Sequence, residues 1–303
     1  YTAMKCVWYS MTMSISIVME DIIMTDFFQA LSDPDLGFLR NALLLGLIGS
    51  IPLGAVGTFV VARRISYLAA AIAHSVLGGI GAALYAREVL GWTWLHPLLG
   101  ALLAALLSAG VIAWVSLRSK QREDAVIGAI WVTGMAIGLL FIARTPGYVD
   151  PMAYLFGDIL LVTRSDIWIA GGVGAFIVAM LLLWHRQIIA VCFDSEFASI
   201  RGVHADGIYI LLLILTALTV VTLVSLVGIV LVIALLTLPP AIASLRARSL
   251  GQMLLASVVL TAGFAFFGLG LSFSLDFPTG PSIILLAAIV YLLANAGHRL
   301  LGR

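Results

Sequence analysis

Charge is what this sequence has least of. Asp, Glu, Lys and Arg make up 10% of its 303 residues, against roughly 25% in a soluble domain, which excludes an ordinary water-soluble fold. Cysteine is scarce too. Cys6 and Cys192 stand far apart and in no Cys-x-x-Cys pair, so neither a disulfide framework nor a thiolate metal site is indicated. Catalytic signatures are missing. There is no G-x-x-x-x-G-K-[ST], so the chain has no P-loop of its own for ATP, and neither H-E-x-x-H nor G-x-S-x-G occurs. An intramembrane protease needs a buried nucleophile, and His74 has no such partner near it in sequence. The net charge of +1 offers nothing to nucleic acid.

What fills the chain instead is apolar. Hydrophobic residues make up 62% of it and the mean hydropathy is +1.16. Segment after segment reaches the roughly 20 apolar residues that cross about 30 Å of hydrocarbon. The runs are continuous and lack the alternation of a membrane barrel. The expected fold is an all-α polytopic membrane protein. Spans are expected at about 38–61, 67–86, 96–117, 125–143, 166–184, 208–227, 229–245, 251–273 and 281–298. Only a tight "SLVGIV" step joins the pair from 208 to 245, and a merged or re-entrant reading lowers the count from nine to eight. Residues 1–36 are read as an N-terminal extension and 37–303 as the transmembrane domain. Within the extension, residues 1–23 hold no spanning run and no signal-peptide pattern. They are expected to carry no functional weight, with "MTDFFQALSDPDLGFLRNALL" from Met24 reading as a natural start.

Basic residues set the orientation, since Lys and Arg concentrate in cytoplasmic loops. Placing Arg63 and Arg64 inside also places Arg118, Lys120, Arg122, Arg186, Arg201, Arg246, Arg248, Arg299 and Arg303 there, eleven of the 16. Lys5, Arg40, Arg87, Arg144 and Arg164 remain outside. The N-terminus is therefore expected out and the C-terminus in. Two connections exceed simple turns. The outer one, "RTPGYVDPMAYLFGDILLVTRSD" (144–166), is expected to be ordered and to lie on or dip into the membrane. The inner one contains "DSEFASIRG", where Asp194 and Ser195 can cap a short helix, Glu196 sits in its first turn and Gly202 ends it. A docking element and a solvated linker both fit that pattern. Glycines on the spans, among them Gly78, Gly79, Gly81 and the "GMAIG" run at 134–138, mark close helix contacts.

Five stretches then occur in a telling order: "FVVARRISYLAAAIAHSVLGGIGAALY", "DPMAYLFGDILLVTRSDI", "DSEFASIRGV", "LTALTVVTLVSLVGIVLVIALLTLPPAIA" and "LDFPTGPSIILLAAIVYLL". Together they resemble the permease subunit of bacterial ABC importers for zinc, manganese or iron(II), a type II importer-like architecture, over about residues 36–298. The resemblance implies a homodimer or pseudo-dimer in the cytoplasmic (inner) membrane. It implies separate cytoplasmic ATPase subunits, an extracytoplasmic metal-binding protein, and a transported divalent metal with no cofactor bound in this chain. Asp194, Glu196, Ala198 and Gly202 fall on the helix that docks the ATPase in such importers. Asp150 and Asp158, on the outer connection, face the binding protein or cap local helices.

His74 is the notable departure. Family members typically carry Asp four residues before this His, on the same helical face, and here that position is Ala70. His74 is read either as part of a transient ion path near a dimer axis or as a packing residue bonded to a backbone carbonyl. Without the carboxylate, an oxygen-rich site is disfavoured, which tilts the expectation toward zinc. Asp276 in "LDFPTG" is a pore-mouth acid or a helix-end residue. His96, His185, His204 and His298 fall at span ends, and Asp166 is expected to cap the following span. A type II permease for a metal chelate or cofactor and a secondary transporter are the rival readings. The second would need several membrane-embedded acids for ion coupling.

Overall fold

The computed structural model describes residues 24–118, 123–147, 151–157 and 159–301. Among these, every regular element is a helix. A short α1 (Met24–Ser32) and a 3-10 turn (Pro34–Leu36) lead into α2 (Gly37–Ala62), α3 (Ser66–Glu88), α4 (Pro97–Arg118) and α5 (Glu123–Arg144). The next connection holds α6 (Pro151–Phe156) and a second 3-10 turn (Ile159–Leu161). Then come α7 (Arg164–Leu183), α8 (His185–Phe193), α9 (Ser195–Ile200), α10 (Ala205–Val227), α11 (Ile229–Ser244), α12 (Leu250–Leu275) and α13 (Thr279–Leu301).

Each of the nine apolar segments becomes a helix, and eight of the described helices are long and apolar enough to cross a membrane. The exception is α11. Its 16 residues rise about 24 Å, short of the roughly 30 Å of hydrocarbon. Gly228 both ends α10 and begins α11, at φ +85°, a conformation that only glycine adopts without cost. That single residue is why the sequence left the count between eight and nine.

The bundle has two ends. Asn41 Nδ2 donates to Val162 O at 3.3 Å, tying the start of α2 to the connection after α6 at the first end. At the second end, Arg63 Nη1 donates to Val191 O at 2.6 Å, tying the α2–α3 turn to α8. The connection between α5 and α7 is ordered where it is described, with Ile159 and Val162 buried; Asp150 and Asp158 lie outside the described residues.

Helices α2, α3 and α10 form the core, and α4, α5, α7 and α13 surround it. The share of each span buried decides this: 72% along α3 against 17% along α5. Helix α3 is buried because its glycines let two neighbours reach its backbone. A Cβ at Gly134 of α5 would stand 2.6 Å from Ser75 Cα, so the two helices touch main chain to main chain. Hydroxyls in the core answer their own helices. Thr216 and Thr219 each donate to the carbonyl four residues back, at 2.8 Å. Thr58 bonds Ser257 across α2 and α12 at 3.1 Å.

Helix α1 sits on α12. Phe27 is fully buried, with its ring edge-on to Phe266 at 5.6 Å and tilted against Phe273 at 6.2 Å. The segment read from sequence as extension is thus fastened to the spans from Phe27 onward.

Pro239 and Pro240 interrupt the hydrogen-bond ladder of α11 and leave carbonyls four residues earlier without donors. Leu236 O, freed by Pro240, is covered by Gly57 of α2, where an added Cβ would collide with it and approach Pro240 Cγ at 3.0 Å. Gly57→Val should therefore cost about 1–3 kcal/mol, read as a lower melting temperature in detergent by size-exclusion thermostability. Gly110→Val, on the exposed face of α4 with nothing within 4 Å, should leave it unchanged. Equal melting temperatures for the two variants would contradict the contact.

Candidate functional site

Two places carry the residues singled out in the sequence. The first is the surface at the second end of the bundle, built by α8 and α9. Asp194 caps α9 by accepting from Phe197 N at 2.9 Å, and Gly202 ends it at φ +84°. Gly202 N donates to Ser199 O, and Val203 N donates to Ala198 O at 3.0 Å, a glycine-type helix stop. Ala198 is buried and anchors the helix, whereas Glu196 is exposed. The helix therefore starts and stops where the sequence placed it. What the sequence reading missed is its outer face. Phe193, Phe197 and Ile200 are 76%, 54% and 83% exposed. Phe193 ends α8, while Phe197 and Ile200 lie three residues apart on α9; together they form an exposed apolar stripe across the join, and its residues were visible in "FDSEFASI".

Arg63 holds this surface to the bundle. Its guanidinium bonds Val191 O and lies 5.7 Å over the Tyr209 ring. Burial pushes the neighbouring Cys192 thiol up to about 11, with Arg63 pulling the other way, so Cys192 stays a protonated packing group.

The second place is His74, half-buried on α3, about 12 Å along the helix from Ser66. Its imidazole stacks on Trp131 of α5, with centroids 4.5 Å apart and planes 16° apart. Nδ1 is buried with no hydrogen-bond partner, so the packing alternative, a His bonded to a backbone carbonyl, is not what Nδ1 does. Ala70, one turn earlier, is buried and supplies no oxygen. Trp131 is the residue that sequence reading could not find, because nothing in the chain marks which residue of α5 meets α3 at this level.

Asp276 lies elsewhere. It ends α12 in the left-handed conformation, φ 54°, and is exposed. The turn around it is closed by Ser272 Oγ donating to Phe277 O at 2.6 Å. This is helix-end geometry at the first end of the bundle, well away from His74 in depth. Among the described residues no three of His, Cys, Asp and Glu are grouped to hold a metal. A lone imidazole can touch a cation in passing but cannot retain it, since zinc takes three or four ligands. Thr163 and Asp166 form a reciprocal cap at the start of α7, as expected of Asp166.

Comparison with known proteins adds the following. The pattern of the ABC 3 transport family matches residues 35–298. An uncharacterised membrane protein of Synechocystis is 38% identical, covering 86% of this chain and 91% of its own length. A protein of Streptococcus gordonii named manganese import system permease protein ScaB is 32% identical, covering 89% of this chain and 94% of its own. The solved structure of PsaBC from Streptococcus pneumoniae, in complex with a Fab, superposes with a TM-score of 0.78 at 32% identity. It covers 89% of this chain and 95% of that one.

The caps and burial of α9 predict a split in stability. Asp194→Ala should cost about 1 kcal/mol and Ala198→Leu about 1–3 kcal/mol, whereas Ile200→Ser should leave thermal stability unchanged. Melting curves of the detergent-purified chain test this; destabilisation by Ile200→Ser would mean that the stripe is internal packing.

Proposed function

Because the chain belongs to the ABC 3 transport family, we propose that this permease is the membrane-spanning subunit of an importer that carries a divalent first-row transition metal. The observation that carries this reading is the family match over residues 35–298, supported by a relative named for manganese import. ATP is hydrolysed by separate subunits, and an extracytoplasmic metal-binding protein delivers the ion. A second permease copy completes the path. The sparsely buried helices α5 and α13 leave apolar surface for that copy and for lipid.

The reading puts the N-terminus out and the C-terminus in. Support comes from the basic residues: Arg63, Arg64, Arg186, Arg201, Arg246 and Arg248 all lie at the second end. That end also carries α9, whose exposed Phe197 and Ile200, beside the exposed Phe193 that ends α8, suit a cleft on the ATPase. Replacing Phe197 and Ile200 by Ser should abolish metal-stimulated coupling, seen as loss of ATPase co-purification and uptake while the permease inserts normally. Ser199→Cys should stay unlabelled by a membrane-impermeant thiol reagent on whole cells, and Pro146→Cys should label. The opposite pattern inverts the topology.

For the ion, the reading gives His74 a transient role through its unpartnered Nδ1, and Trp131 holds the ring. Neutral imidazole suits Zn²⁺ better than Mn²⁺, which prefers oxygen, so Ala70 in place of a carboxylate favours zinc; the name of the Streptococcus gordonii relative favours manganese. Uptake in a metal-uptake-deficient strain, with zinc, manganese and iron(II) competed against each other, decides between them. His74→Ala and His74→Gln should each lower uptake about tenfold or more at unchanged expression. Parent-like uptake by His74→Gln makes His74 structural, and Ala70→Asp should shift preference toward Mn²⁺ or Fe²⁺.

A further inference from the structure

We propose that Trp131 is the gate of the ion path at His74. Seated on the imidazole it closes the way to Nδ1, and a cation reaches that nitrogen only when α5 rolls on α3 and carries the indole away. Such a gate rests on the reading that His74 meets the ion, and it adds which element must move.

Nδ1 of His74 is buried too completely for water to touch it, and it bonds to nothing. Among the described residues it is the only buried side-chain nitrogen or oxygen left in that state. A metal ion binds imidazole at about 2.0–2.1 Å, closer than a water sits, so it cannot meet Nδ1 in this arrangement. Something beside the ring has to leave. The neighbour lying flat against it is the indole of Trp131, 4.5 Å away between centroids.

Helix α5 is the wall most free to move. It packs on α3 and only lightly on α4, and it is the least buried of the spans. Among the described residues no side-chain hydrogen bond ties it to another element; Thr133 donates to Ala129 O of its own helix. At Gly134 and Gly138 its seam with α3 has no interlocking side chain, since a Cβ there would run into the main chain of Ser75 and Leu77. Little has to disengage for α5 to roll. Space for the movement lies on its other flank. A cavity of about 540 Å³ separates α5 from α4, walled on the α5 side by Ile130, Thr133, Gly134 and Ile137. Trp131 is outside that wall, so a roll of α5 into the cavity shifts the indole off the His74 ring.

Two experiments on the full chain test the gate. In the first, Tyr85→Cys and Phe141→Cys are joined by a short reducible bis-thiol reagent, with Cys6 and Cys192 replaced by Ser. The parent rings lie 5.3 Å apart across the same α3–α5 seam. Bridging should stop metal uptake by the assembled importer, and reductant should restore it. In the second, the tryptophan emission of Trp131→Phe is subtracted from that of the unmodified chain, which isolates the Trp131 signal. Zn²⁺, a closed-shell ion, should shift that signal, because a ligand that favours the open state populates it. In a His74→Gln background the same ion should leave the Trp131 signal unshifted. Undiminished uptake by the bridged protein overturns the gate. So does a Trp131 emission that Zn²⁺ leaves unchanged, or shifts equally without His74. Parent-like uptake by His74→Gln overturns the ion reading instead, and the bridged pair still reports on the movement of α5, so the two failures are told apart. The emission measurement stands on its own if the cysteine variant does not fold.

Discussion

Hydrocarbon offers no partner for a backbone N–H or C=O, and the architecture of this permease follows from how the chain supplies those partners itself. Helices meet the demand along their length, and the difficult places are where a ladder breaks or two backbones meet. At Pro239 and Pro240 the ladder breaks, and α2 brings Gly57 over the freed carbonyl of Leu236. Along α3 the glycines let α4 and α5 close in until main chain meets main chain, which is why this helix of small residues is the most deeply buried span. Hydroxyls such as those of Ser75, Thr216, Thr219 and Thr261 are absorbed by carbonyls of the preceding turn, so they enter the core without leaving an unmet donor. Against that background the unpartnered Nδ1 of His74 stands out: the hydroxyl of its neighbour Ser75 is answered by Ile72 O, and the imidazole is not.

Much of this was legible from residues alone. The nine apolar segments became nine helices because hydropathy reports directly on the solvent a segment lives in. Asp194 and Gly202 announced the ends of α9 because capping is local chemistry, decided within four or five residues. Helix α8 carries no signal of its own in the sequence, since "HRQIIAVCF" has neither spanning length nor a capping residue. It is helical because Ile188 and Val191 are buried in the hydrophobic core. The fastening of α1 was hidden for the same reason: Phe27 needs Phe266 and Phe273 from more than two hundred residues away. Trp131 under His74 is the clearest case, because a stack between two spans depends on their relative rotation, which no single helix encodes.

Asp276 and His74, the two residues considered for the ion path, also divide on physical grounds. Asp276 has the backbone conformation of a helix stop, so its position is explained before any cargo is invoked. His74 has no such explanation, since a stacked ring with a buried, unbonded nitrogen gains less than a hydrogen-bonded one would. On the ion path proposed above, that deficit would be of use. A site that grips a cation with a full ligand set would hold it, whereas conduction needs contacts weak enough to break.

The short helix α11 has a mechanical side. It falls about 6 Å short of the hydrocarbon thickness, and at its first end Gly157 and Gly228 bring α6 against its start, backbone to backbone. The start of α11 and the end of α6 are thus two pieces that share a main-chain contact and no continuous ladder. A continuous helix transmits a push like a rod. Two pieces in contact behave as a joint: one can slide or tilt against the other while every intrahelical hydrogen bond stays closed, so a displacement of one need not be carried stiffly to the other.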